Sequence, residues 1–72
     1  NKIAEDISSL KNEKIRIVKI NHEYEYKGEG VSSNGKHWNA YHISKKPLEI
    51  DKYYVCREIE GLTLMLDFLD QE

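Results

Sequence analysis

A chain of 72 residues with 39% apolar and 33% charged side chains, a formal net charge of −2 and a single cysteine has room for one domain and no internal disulfide. A fold of this size hides only about 60% of the surface its unfolded chain exposes, so its core must be thin and well closed. No stretch approaches the ~20 apolar positions of a membrane-spanning helix, the first residues do not read as a basic-then-apolar leader, and most two-lobed catalytic architectures are too large to fit.

The first residue is Asn1 rather than Met, and we read the chain as cut from a longer protein. Residues 2–10 put Ile3, Ile7 and Leu10 on one helical face, which predicts a short helix or linker over residues 1–13 and a barrel domain over residues 14–72. From Lys14 the β-branched Ile15, Ile17, Val18 and Ile20 predict a strand. Its apolar phase switches between Ile17 and Val18, which predicts a bulge. Glu23-Tyr24-Glu25-Tyr26 alternates like an exposed strand, and Gly28 and Gly30 follow as positions for a turn or a coiled strand. Asn34-Gly35 predicts a two-residue hairpin turn between strands at about 28–33 and 36–43. Pro47 takes the chain out of the sheet. Tyr53–Ile59 predicts the fourth strand and Glu60-Gly61 the second hairpin turn. Leu62, Leu64, Leu66 and Phe68 share one face of the fifth strand, the cleanest period of two in the chain.

Five short strands with two tight hairpins and one longer connection predict an all-β fold. A small five-stranded OB-like barrel is the first expectation and an SH3-like barrel the second, because closure removes the exposed edges that short strands would otherwise leave. The predicted core holds Trp38, Ala40, Tyr54, Cys56, Ile59, Leu62, Leu64, Leu66 and several residues of Ile15–Ile20.

Little in the chain reads as catalysis. His22, His37, His42 and Cys56 lack zinc-ligand spacing. Ser32 and Ser33 lack a nucleophile elbow, and Gly28-Glu29-Gly30 lacks the lysine and helix of a phosphate loop. We assign no catalytic, metal-binding or cofactor-binding residue and expect a protein that is not an enzyme. Cys56 reads as a buried thiol, compatible with a reducing compartment. Charge is uneven: residues 1–46 carry nine Lys and Arg against six Asp and Glu, and residues 47–72 carry two against seven. Glu23, Glu25 and Glu29 interrupt the basic part, so no nucleic acid partner is expected. Tyr24, Tyr26, Tyr41 and Tyr53 form a second aromatic set for the outer face. Of these, Tyr24 and Tyr26, with the neighbouring Lys27, are the candidate partner-binding residues.

The second half carries a resemblance. Gly30-Val31, then Gly35-Lys36-His37-Trp38-Asn39-Ala40, then a polar loop and Ile59-Glu60-Gly61-Leu62-Thr63-Leu64-Met65-Leu66, resembles the C-terminal soluble domain of the NfeD-like (nodulation formation efficiency D) membrane proteins. The family's pattern is of the type G-x-V-x-x-x-G-x-x-W-x-A, a loop, then V-x-V-x-x-V-x-G-x-x-L-x-V. Tyr54 and Cys56 stand where valines are commoner, and the family's glycine-bearing first strand and Pro-Gly pair have no counterpart. The resemblance implies an OB-like barrel attached to membrane helices upstream of Asn1, in a membrane-anchored protein of a bacterium or archaeon, with the barrel on the cytoplasmic side. It further implies a stomatin- or flotillin-type membrane scaffold protein as partner, a link to membrane protease regulation, and no cofactor. The alternative reading is an OB-type oligonucleotide-binding module.

Overall fold

Apolar alternation becomes strand wherever a partner strand lies within reach. The computed structural model describes residue 7 and residues 9–69; residues 1–6, 8 and 70–72, with Ile3 of the predicted helical face, lie outside the described part. Five strands follow in order: β1 (Lys14–Ile20), β2 (Lys27–Val31), β3 (His37–His42), β4 (Tyr53–Glu60) and β5 (Thr63–Phe68). They close into a barrel in the order β1-β2-β3-β5-β4, with β4 returning to β1. Every pairing is antiparallel except β3 with β5, which run parallel. This is the small OB-like barrel expected from the sequence, and closing it leaves no strand edge unpaired. No helix interrupts the strands, and among the described residues none is long and apolar enough to cross a membrane.

Two bulges bend the sheet. The β1–β2 register shifts between Ile17 and Lys19, where the apolar phase switches at Val18, and the β4–β5 register shifts between Cys56 and Glu58. An extra residue at each point sharpens the local twist, as a barrel of five strands requires. The two glycines of β2 let β1 come close. A Cβ on Gly28 would overlap the backbone oxygen of Lys19, and one on Gly30 would overlap Ile15 Cγ2.

The core consists of Leu10, Ile15, Ile17, Ala40, Leu48, Tyr54, Cys56, Leu64 and Leu66, with Ile7, Ile20, Trp38 and Ile59 packed at its rim. Leu10 comes from the segment before β1. Its amide donates to Ile7 O at 3.1 Å, and the turn ends at Asn12 with φ 72°. Asn12 N–H then donates to Cys56 O at 2.7 Å and Cys56 N–H to Glu13 O at 3.0 Å, which ties this segment alongside β4.

Three local expectations are corrected. The first hairpin is not a two-residue Asn34-Gly35 turn. Gly35 N–H donates to Ser32 O at 2.9 Å and Ser32 N–H to Lys36 O at 3.0 Å, and only Gly35 has a positive φ, 86°. That is a three-residue loop, Ser33–Gly35, with the glycine in the bulge position. Asn34 instead uses its side chain, accepting from Ser32 Oγ at 2.5 Å and Lys36 N–H at 3.1 Å. The second turn lies one residue later than expected, at Gly61-Leu62 between the paired Glu60 and Thr63. Gly61 has φ 62° at the first central position, where a type II′ turn takes glycine. Leu62 is therefore a turn residue, 65% exposed, and not part of the core. Thirdly, Glu23–Tyr26 is a loop, not a strand.

Candidate protein-interaction surface

The β1–β2 loop owes its shape to Asn21. Its side-chain oxygen accepts from the amides of Glu23 at 2.7 Å and Tyr24 at 2.9 Å, an Asx-turn that competes successfully with the extended backbone the alternation suggests. Lys27 N–H donates to Tyr24 O and Asn21 N–H to Lys27 O, both at 2.9 Å, which closes the loop on itself. Two further bonds fasten it to the rest of the barrel: Leu48 N–H to Glu25 O at 2.8 Å and His42 N–H to Tyr26 O at 2.9 Å. The loop is thus a tethered platform, and Tyr24 and Tyr26 ride on it.

Pairing of β2 with β3 sets Lys27 opposite Tyr41. Three tyrosines then meet. The Tyr24 and Tyr26 rings are 5.9 Å apart and tilted by 54°, and Tyr26 meets Tyr41 edge to face at 5.3 Å. Both arrangements are favourable for ring quadrupoles. The Lys27 ammonium lies 4.9 Å from the Tyr24 centroid and 6.0 Å from that of Tyr41. Tyr24 is 48% exposed, while Tyr26 and Tyr41 are half-buried. The three residues singled out in the sequence, Tyr24, Tyr26 and Lys27, are therefore neighbours in space, and Tyr41 joins them. Tyr53 does not. It is paired with Arg16 across β1 and β4 and lines a separate groove with Val31 and Ser32.

Beside the tyrosines runs a polar face. Lys19, Glu29, Asn39 and Thr63 align in one row across β1, β2, β3 and β5. They line a shallow groove of about 570 Å³ together with Lys27 and Tyr41. Further along β3, His37 Nδ1 meets Glu29 Oε2 at 2.6 Å, and Leu62 stands beside Trp38. The Trp38 indole donates to Ser32 Oγ at 3.0 Å, so the buried serine fixes the indole and holds the first hairpin to β3. These groove residues were not legible as a set, because the parallel β3–β5 pairing joins segments far apart in sequence. Tyr41 had a local signal: it is the outward residue between the inward Ala40 and His42 on β3.

Three titratable groups lie in the interior. Burial pushes the Cys56 thiol up, with the Glu58 carboxylate adding to the effect. It likewise raises Tyr54, whose hydroxyl accepts from Glu49 N–H at 3.0 Å. His42 is fully buried between Tyr54 and Phe68, and burial lowers its pKa. Among the described residues no group of three or more His, Cys, Asp or Glu side chains is placed to hold a metal ion. No protein-family model, curated protein or solved structure matches the chain.

Proposed function

We propose that this barrel is a non-catalytic protein-interaction domain of a membrane-anchored NfeD-like protein, working with a stomatin- or flotillin-type membrane scaffold protein in the regulation of membrane proteolysis. The observation that carries the interaction reading is the surface cluster of Tyr24, Tyr26 and Tyr41 with Lys27, formed where a loop pinned by backbone hydrogen bonds meets β2 and β3. Tyrosine suits such a contact: it brings a large area with few rotatable bonds and a hydroxyl that tolerates water. A pinned loop also loses little entropy on binding.

Support for the family part of the reading lies in what its motif residues do. Gly30 admits Ile15, Ala40, Leu64 and Leu66 fill the core, Trp38 packs at its rim, and Gly61 makes the last turn. The oligonucleotide-binding alternative draws on one observation, the groove over β2 and β3 between the 21–26 loop and the 61–62 turn, which is where OB barrels take oligonucleotides.

The double substitution Tyr24→Ser, Tyr26→Ser tests the proposal in the full-length protein. Co-purification with the scaffold is expected to be lost while the melting midpoint of the domain is retained to within a few degrees. Retained co-purification removes the case for this surface.

A further inference from the structure

We infer that the tyrosine cluster is a cation-accepting pocket, occupied in the free protein by Lys27, and that it takes a lysine or arginine side chain from a partner protein segment. This rests on the reading of Tyr24 and Tyr26 as a contact surface and names the chemistry they recognise. The three rings form a continuous chain, Tyr24 to Tyr26 to Tyr41, with centroid separations of 5.9 and 5.3 Å. The Lys27 ammonium faces both end members, at 4.9 and 6.0 Å. An ammonium against the face of a ring is held by the ring quadrupole, the same attraction that recognises cationic ligands in aromatic cages. The pocket therefore already accepts a cation, supplied in cis.

Lys27 is a replaceable occupant. It is exposed, on a flexible four-carbon stem, and its ammonium makes no ion pair among the described residues. A guanidinium is planar and more weakly hydrated than an ammonium, and stacks better on an aromatic face. A partner's arginine can thus displace Lys27 at small cost, releasing it to solvent.

Charge around the pocket selects the source of the cation. Glu23 and Glu25 flank Tyr24 in the loop, both exposed, and neither carboxylate meets a basic side chain among the described residues. Glu29, on the adjoining face, is held by His37. Two unpaired carboxylates favour a cation from a protein segment. They oppose a choline headgroup, whose phosphate would arrive with its ammonium, and they oppose a nucleic acid backbone for the same reason.

The test titrates a fluorescent arginine–glycine peptide, its glutamate–glycine counterpart and phosphatidylcholine vesicles into the wild-type domain and three variants. Lys27→Met keeps the stem and removes the competing ammonium, so arginine-peptide binding is expected to tighten about three- to tenfold. Glu23→Gln with Glu25→Gln is expected to weaken binding and flatten its dependence on salt between about 50 and 200 mM. Both changes are on exposed side chains, so melting should hardly move. Tyr24→Ser with Tyr26→Ser is expected to abolish peptide binding. Unchanged or weaker binding by Lys27→Met, equal binding of the glutamate peptide, or preferential binding of the vesicles overturns the inference. The two proposals fail separately. If Tyr24→Ser, Tyr26→Ser loses the scaffold but the wild type ignores the arginine peptide, the interaction surface stands and the cation pocket falls. If Lys27→Met tightens peptide binding while the tyrosine variant keeps the scaffold, the pocket stands and that partner falls.

Discussion

At the residue scale a buried imidazole makes the barrel sensitive to acid. His42 Nδ1 accepts from Ser44 N–H at 3.1 Å, so the neutral ring carries its proton on Nε2. That atom is buried and has no hydrogen-bond partner. Burial disfavours the charged ring most. Asp67 pulls the other way, while Lys46 and Lys52 add to the lowering. The folded state thus refuses a proton that the unfolded chain takes up at about pH 6.5. Stability from this group is complete above that pH and is lost as the pH falls from there towards the lower folded value, where the loss levels off. Melting midpoints measured between about pH 7.5 and 5 should fall. His42→Asn, which keeps an acceptor for Ser44, should remove much of that slope, and an equal slope in the variant would put the sensitivity elsewhere. Cys56 offers a second reading of the same interior. Its thiol is fully buried, with Sγ 3.4 Å from Glu58 O, and burial raises its pKa. Native protein should resist thiol reagents and label only at the rate of unfolding; rapid labelling under native conditions would contradict its place in the core.

At the scale of elements, turns and registers divide what the sequence discloses from what it hides. The bulge at Val18 was legible because a change of apolar phase is local. The face of Leu64 and Leu66 was legible for the same reason, and both are fully buried. Leu62 broke the pattern because the turn took it: alternation says which residues could share a face but not where the strand begins. The Glu23–Tyr26 alternation misled similarly, since the side chain of Asn21 offers the backbone two bonds that a strand does not need. Within the candidate surface, Tyr24, Tyr26 and Lys27 are near neighbours in sequence and could be read together. Thr63 reaches the adjoining groove only through the parallel β3–β5 ladder, which no local pattern announces. Gly61 provides the direct test at this scale. A β-branched side chain at φ 62° is strained, so Gly61→Val should cost roughly 1–3 kcal/mol. A domain of this size has only about 4–11 kcal/mol in total, so the melting midpoint should drop by several degrees. An unchanged midpoint would mean that the β4–β5 turn relaxes without glycine.

At the scale of the whole molecule, the two functional readings differ in the charge that each requires. Affinity for nucleic acid comes chiefly from lysines and arginines that neutralise phosphates and release counterions. Over the β2–β3 groove this barrel offers few free ones. Lys19 and Lys27 are the basic side chains that line it, Lys27 lies against the tyrosines, and the loop between them adds Glu23 and Glu25. Residues 47–72, which supply β4 and β5, carry seven acidic side chains against two basic ones. The aromatic rings could stack on bases, but stacking without a basic track gives little affinity at physiological salt. Neutralisation of about one or two phosphates corresponds to a log–log salt slope no steeper than roughly −1.4 for a single strand. Labelled single-stranded DNA titrated into the domain at low salt should therefore bind weakly or not at all, with dissociation constants above about 100 μM once salt reaches the physiological range. Micromolar binding with a steep salt slope would show that more lysines line up along a backbone than the groove presents in the free protein. The groove would then be an oligonucleotide site, and the tyrosines its stacking platform.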